Sequence, residues 1–332
     1  MIGRRATLIG GVAAGAAAGL PLPARAAPLP VVRVGVLSFG SVIWELDVVK
    51  WRGLDAAHGI DLRIIRTAGK EGAAVALEGG AVDAIVTDWF WVSRQRAAGA
   101  DFTFAPFSRD TGGIYVAQHS GIRRLADLKG RKLGIAGGPV DKSWLLLRAY
   151  AEKTLGRDLD GLASPVFAAP PLLNHLALSG QIPAVLNFWQ FDAVLAAAGF
   201  RPLVGMGQVF AALGISPAPP LLGWVFRDRF ARAEPAALRG LLAASYAAKH
   251  ALLTDDALWQ RLRPVMHAPD AAVFAALRRL WRRGGITRFG PREIAAAEAT
   301  FRVVARLGGP ALVGHQSALA PGTFWPGFRL PG

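Results

Sequence analysis

Residues 122–156 read IRRLADLKGRKLGIAGGPVDKSWLLLRAYAEKTLG. Leu125 and Leu128 mark a short helix, Lys129-Gly130 a tight turn, and Lys132–Ala136 a buried strand. A Gly137-Gly138-Pro139 loop follows, and a long amphipathic helix starts near Asp141. Glycines at the end of a strand, directly before a helix, let backbone amides face an anion or polar ligand. The unit therefore reads as a binding device. Gly137, Gly138, Asp141 and Ser143 are candidates to hold a ligand's polar head; a structural turn with Asp141 as helix N-cap is the other reading.

Outward from this unit the chain alternates strands and helices. Upstream, Val31–Leu37 is a β-branched run bounded by Pro30 and the loop Ser38–Ser41. A helix is expected over Val42–His58, then a strand Asp61–Ile65, a helix Glu71–Glu78 and a strand Val82–Val86. Such alternation indicates α/β architecture with ligands at the carboxyl ends of parallel strands. Thr87-Asp88-Trp89 directly follows the third strand. Thr87 or Asp88 can cap the next helix, and Trp89 or Trp91 can wall a pocket. Phe102–Pro106 is a further strand, and Gly112–Ala117 is expected to leave the first lobe. Downstream, Ala184–Trp189 repeats the logic of residues 82–91: a short apolar strand, then polar and aromatic residues as a helix begins. Asn187 and Trp189, with Asp192 one turn on, thus form a second copy that could face the first across a cleft. Gly214–Pro220 looks like the return crossing. Leu222–Phe226 is a strand, four helical segments follow to Leu307, and the tail from His315 is an irregular strap.

Three segments carry a family resemblance. Ile122–Ile135, of pattern I-x-x-L-x-D-L-K-G-x-K-L-G-I, resembles the hinge-proximal segment of periplasmic substrate-binding proteins of ABC transporters. Ala76–Ala84 resembles an element of their nitrate, taurine, alkanesulfonate and thiamine-pyrimidine-precursor branch. Leu176–Ala184 resembles its second copy, with Pro183 where the family usually has Asp. The resemblance implies a type II two-lobe fold, each lobe a mainly parallel sheet flanked by helices, with a hinge between. Lobe 1 is expected over residues 27–116 and 220–332, and lobe 2 over 117–219. It also implies a small-molecule ligand caught by hinge closure, an ABC permease and ATPase as partners, a monomer, no cofactor and no catalysis. Ser38, Ser41, Trp44 and Trp224 join the candidate ligand residues as loop-proximal groups. A cluster of tryptophans would suit a flat ring, although core packing is the competing reading for each. Buried carboxylates at Asp88 and Asp192 would disfavour a free sulfonate or nitrate and favour a donor-rich pyrimidine or amine. A periplasmic sensor or accessory protein is one alternative. An enzyme like the pyrimidine-precursor synthases of thiamine biosynthesis is another, but those carry a cysteine-rich segment and this chain has no cysteine.

Composition adds bounds. The 332 residues are enough for two ordinary domains. Arg4-Arg5, the apolar run Ala6–Leu20, Pro21 and Ala24-Arg25-Ala26 have the layout of a cleavable twin-arginine leader over residues 1–26; an uncleaved anchor is the other reading. The formal charge is +15, and cleavage would remove three arginines and no acid, leaving +12. These charges are dispersed, which suits solubility and attraction to anions better than a nucleic-acid surface. With no cysteine, disulfides and thiolate metal sites are excluded. The six histidines lack metal spacing, and no hydrolase elbow or dinucleotide loop occurs. Lys142-Ser143 resembles the end of a phosphate loop, but Asp141 replaces the required glycine.

Overall fold

The computed structural model describes residues 28–38, 40–109 and 111–330; the expected leader lies outside them. In chain order the first run of elements is β1 (Val31–Leu37), α1 (Val42–Trp51), α2 (Leu54–Ala57), β2 (Asp61–Thr67), α3 (Lys70–Glu78), β3 (Ala84–Asp88), α4 (Trp89–Ala97) and β4 (Phe102–Ser108). The second is β5 (Gly113–Val116), a 3-10 turn at Leu125–Leu128, β6 (Lys132–Ile135), α5 (Lys142–Leu155), α6 (Leu159–Leu162), β7 (Ser164–Phe167), α7 (Pro170–Leu178), β8 (Ala184–Asn187), α8 (Trp189–Ala197), β9 (Arg201–Gly205) and α9 (Met206–Ala212). The chain closes with β10 (Leu222–Arg227), α10 (Asp228–Ala233), α11 (Pro235–Thr254), α12 (Asp256–Leu262), α13 (Ala271–Arg283) and α14 (Pro291–Val313).

Two five-stranded sheets result, in the orders β2-β1-β3-β10-β4 and β7-β6-β8-β5-β9. Each has three parallel strands, then one antiparallel strand inserted before the last. The inserted strands, β10 and β5, are those that follow the two crossings between lobes. Central strands covered on both faces need continuous apolar runs, and Val32, Val34 and Val36 of β1 are accordingly buried.

The structure corrects three expectations. Gly112–Ala117 does not end the first lobe: its strand, β5 (Gly113–Val116), pairs with β8 and β9, so the first crossing comes before Gly113. The single helix expected over Val42–His58 is two, because Gly53 adopts φ +62° and breaks it. The strand expected over Val82–Val86 is instead Ala84–Asp88, because β10 extends β3 by pairing Leu222 with Asp88, and Asp88 then serves as the expected helix cap.

Several helices tie the lobes together. α8 of the second lobe packs on α13 of the first, and α14 packs on both α4 and α5. Arg306 of α14 adds a 2.7 Å ion pair to Glu152 of α5. The tail is a strap on the first sheet. Phe104 donates its amide to Thr323 O at 2.9 Å, and Trp325 donates back to Phe104 O at 2.8 Å, covering the exposed edge of β4. Among the described residues no helix is long and apolar enough to cross a membrane.

Candidate functional site

Parallel strands end at the same face of each sheet, and the loops after β1, β3, β6 and β8 meet between the lobes. They enclose a cavity with a free volume of about 140 Å³, close to the roughly 150 Å³ of a protein cavity that accepts benzene. Most of the wall is apolar: Val36, Leu37 and Val42 around the first loop, Ile85 and Val86 on β3, Leu221 and Leu222 on the return crossing. Phe188 and Trp189 close it from the second lobe.

Polar groups enter at few points. Ser41 is the N-cap residue of α1 but makes no capping bond. Its hydroxyl, and the side chains of Thr87, Thr111 and Gln190, line the cavity. Ser143 also lines it and lies 3.5 Å from Thr111 O through its hydroxyl.

The charges are arranged in two tiers. Asp88 N-caps α4 by accepting from Trp91 N at 3.0 Å. Its other oxygen accepts from Lys142 Nζ at 2.9 Å, across the lobes. Burial pushes the Asp88 carboxyl up, but the charges of Lys142 and Lys70 and these two hydrogen bonds outweigh it and hold it below the ordinary carboxylate range. Burial likewise lowers Lys142, and Asp88 and Asp141 more than restore it. Asp141 caps α5, accepting from Ser143 N at 2.9 Å and Trp144 N at 3.3 Å. Lys70, at the first turn of α3, has no carboxylate partner at ion-pair distance among the described residues. Its ammonium lies 5.2 Å from the Phe188 ring centroid, and its pKa is lowered, first by repulsion from Lys142 and then by burial. An anion in the cavity would relieve that repulsion.

The other expected residues fall elsewhere. Gly137 and Gly138 do not line the cavity. Both have positive φ, and a Cβ on Gly137 would meet the Asp141 carboxylate at 2.5 Å, so Gly137 lets the loop fold back onto its own cap. Trp89 and Trp224 are core residues, not walls. Trp89 is fully buried with its indole N–H on Pro220 O at 2.9 Å, and Trp224 donates to Ser245 at 3.1 Å and meets Phe107 edge-on. Trp44 stands behind the wall, edge-on to Trp189 at 5.8 Å. Asn187 is buried and bonds Asn174, Pro170 O and Phe188 N, tying β8 to α7. Ser38 donates to Thr67 O. Asp192 faces a different cavity.

Of the residues passed over in sequence, Lys142 had a visible signal: it directly follows the Asp141 cap in the strand–glycine loop–helix unit read as a binding device. Lys70 lacked a local motif, but it opens the helix after β2, at a strand's carboxyl end, where ligands collect in this architecture. Phe188, Gln190, Thr111 and Leu222 are brought in by lobe packing alone.

The sequence model of the NMT1/THI5-like family matches residues 50–255, more than half of the chain. The chain belongs to the NMT1/THI5-like family. No curated protein matches this family member in sequence. In structure it resembles the alkanesulfonate-binding protein SsuA from Xanthomonas axonopodis pv. citri bound to MOPS, with TM-score 0.68, 20% identity and coverage of 90% of this chain and 99% of that one. It is similar to the periplasmic aliphatic sulphonate binding protein SsuA from Escherichia coli, with TM-score 0.68, 19% identity and coverage of 87% and 97%. The desulfurization enzyme DSZB also matches, with TM-score 0.58, 15% identity and coverage of 89% and 97%. At these identities the structural likenesses establish the two-lobe periplasmic-binding fold of this NMT1/THI5-like chain, and the fold alone.

Proposed function

We propose that this chain is the exported solute-binding component of an ABC importer, which takes a small organic anion into the interlobe cavity and delivers it to a membrane permease and ATPase. The observation that carries the reading is Lys70: a cation without a carboxylate partner at the rim of an apolar cavity bounded by both lobes. The ligand's apolar body, no larger than about a six-membered ring, lies against Phe188, Trp189 and Leu222. Its acidic head faces Lys70, with Ser41, Thr87 and Gln190 as hydrogen-bond donors. Asp88 does not oppose an anion, since Lys142 cancels its charge; this turns the ligand preference away from the amine or pyrimidine expected from its carboxylate. Sulfonates are the first class to test, because the sulfonate-binding relatives share the fold.

The test is a titration of the leader-free protein with ethanesulfonate, benzenesulfonate, benzoate and nitrate, followed by tryptophan fluorescence and melting temperature. Trp189 lines the cavity, so a binder shifts emission. Lys70→Ala is expected to weaken the best anion by about 10-fold or more, the cost of one hydrogen bond to a charged group. Equal response to neutral benzamide, or no response to any anion, overturns the reading.

A further inference from the structure

A second cavity opens on the far side of Trp189, with a volume of about 310 Å³. It shares Trp189 and Thr111 with the first cavity, but its other walls come mainly from β5, β9, α8, α9 and α13. Asp192 of α8 lines it and is only 1% exposed. One carboxylate oxygen, Oδ2, accepts from Gly113 N at 2.9 Å, while Oδ1 has no partner. Leaving a buried carboxylate oxygen unsatisfied is costly, and such an atom marks a place where a donor is missing. The other polar side chains that line this space are Thr111, Tyr115 on β5, and Arg109 and Arg283. Both arginines are exposed, so they form a rim. Arg109 is anchored to Gly285 O at 2.9 Å, whereas Arg283 has no ion-pair partner among the described residues.

We propose that this cavity is a second ligand site, and that it takes a small zwitterion of the amino-acid type: an ammonium group on Asp192 at the floor and a carboxylate toward Arg283 at the rim. A single-sign ligand satisfies only one end, and the volume sits at the lower limit of small-molecule pockets, roughly 300 Å³. Asp192 belongs to the second lobe and Arg283 to the first, so the zwitterion bridges them next to the α8–α13 contact. Burial holds the Asp192 carboxyl well above its ordinary range, with only the Gly113 bond opposing. An arriving ammonium therefore displaces the carboxyl proton to solvent. Because Trp189 separates the two cavities, an occupant here also alters affinity in the first one, and the reverse holds equally. The proposal does not rest on the anion reading of the first cavity.

The test is calorimetric titration of the leader-free protein with glycine and L-serine, with ethylamine and propionate as single-charge controls, in two buffers of different ionisation heat. Expected results are saturable binding of a zwitterion, weaker binding of both controls, and release of a proton. Asp192→Asn keeps the acceptor for Gly113 N and is expected to weaken binding by about 30-fold or more, as for removal of one charge from a buried pair. Arg283→Ala, on the exposed rim, is expected to cost a few-fold and is unlinked to folding of the core. Propionate binding that survives in Asp192→Asn would instead reveal an anion site served by a neutral donor, and overturns the proposal. So does zwitterion binding unchanged in Arg283→Ala and Asp192→Asn, or no heat with any probe while anions still titrate the first cavity.

Discussion

The two lobes repeat one corner with opposite outcomes. In the first, β3 ends at Thr87-Asp88 and α4 opens with Trp89; in the second, β8 ends at Asn187 and α8 opens with Trp189. Each tryptophan is the first residue of its helix. Trp89 turns into the core, where the carbonyl of Pro220 on the return crossing accepts its N–H. Trp189 turns toward the gap, meets Trp44 of the other lobe edge-on, and separates two cavities. The carboxylates diverge as well. Asp88 finds Lys142 and stays charged; Asp192 finds one backbone amide and resists ionisation. Equal local position thus leaves role open: the partner across the crossing decides whether a side chain stabilises its lobe or faces a ligand.

The largest effect that could break this contrast is Trp89→Ala, which empties a fully buried site. It should destabilise the protein by about 3–5 kcal/mol in denaturant titration, and a loss under about 1 kcal/mol would remove Trp89 from the core. Next is Lys142→Ala, which strands the Asp88 carboxylate. At about one-tenth exposure, the cost should approach the roughly 3 kcal/mol lower end measured for broken buried pairs. Small-angle scattering should show a larger radius of gyration if the pair holds the lobes together. An unchanged radius with unchanged stability would mean that the pair does neither.

The pH dependence sharpens the carboxylate half of the comparison. Asp88's folded pKa lies below the unfolded value of about 3.9. Its contribution is therefore complete above that value and is lost as pH falls through the lower folded one. Asp192 has the reverse sign. The folded chain keeps a proton that the unfolded chain releases above about pH 4, so stability falls as pH rises from there toward the raised folded value. Asp192→Asn should flatten this second slope in melting curves taken from about pH 4 upward and leave the acid limb intact. A slope that persists would assign the titration to another group. The smallest effect is Trp189→Phe, expected to cost about 1 kcal/mol of edge-to-face contact with Trp44 while altering the fluorescence response to a cavity ligand. An unaltered response would place the reporting tryptophan elsewhere.

Much of the framework was legible from residue pattern. The apolar run of β1, the Gly137-Gly138 turn before the Asp141 cap, and the repeated strand–helix corners are local features, and local sterics dictate them. Gly112–Ala117 was misplaced because a short apolar strand carries no label for its sheet. Only pairing to β8 and β9 assigns β5 to the second lobe. Trp89 was indistinguishable from Trp189 by sequence, since each opens the helix after a strand and the two differ only in what packs on them.

The sequence by itself determined an α/β chain of alternating strands and helices, because hydrophobic period, glycine turns and helix caps act over a few residues and survive in any environment; the two-lobe arrangement was implied only by the family resemblance of three segments. The tertiary structure alone decided which side chains meet in the gap: Lys70 beside Phe188, Lys142 on Asp88, Asp192 left half-satisfied. Those pairings join residues tens of positions apart, and their charges and burial exist only once two separately wound sheets have been brought face to face.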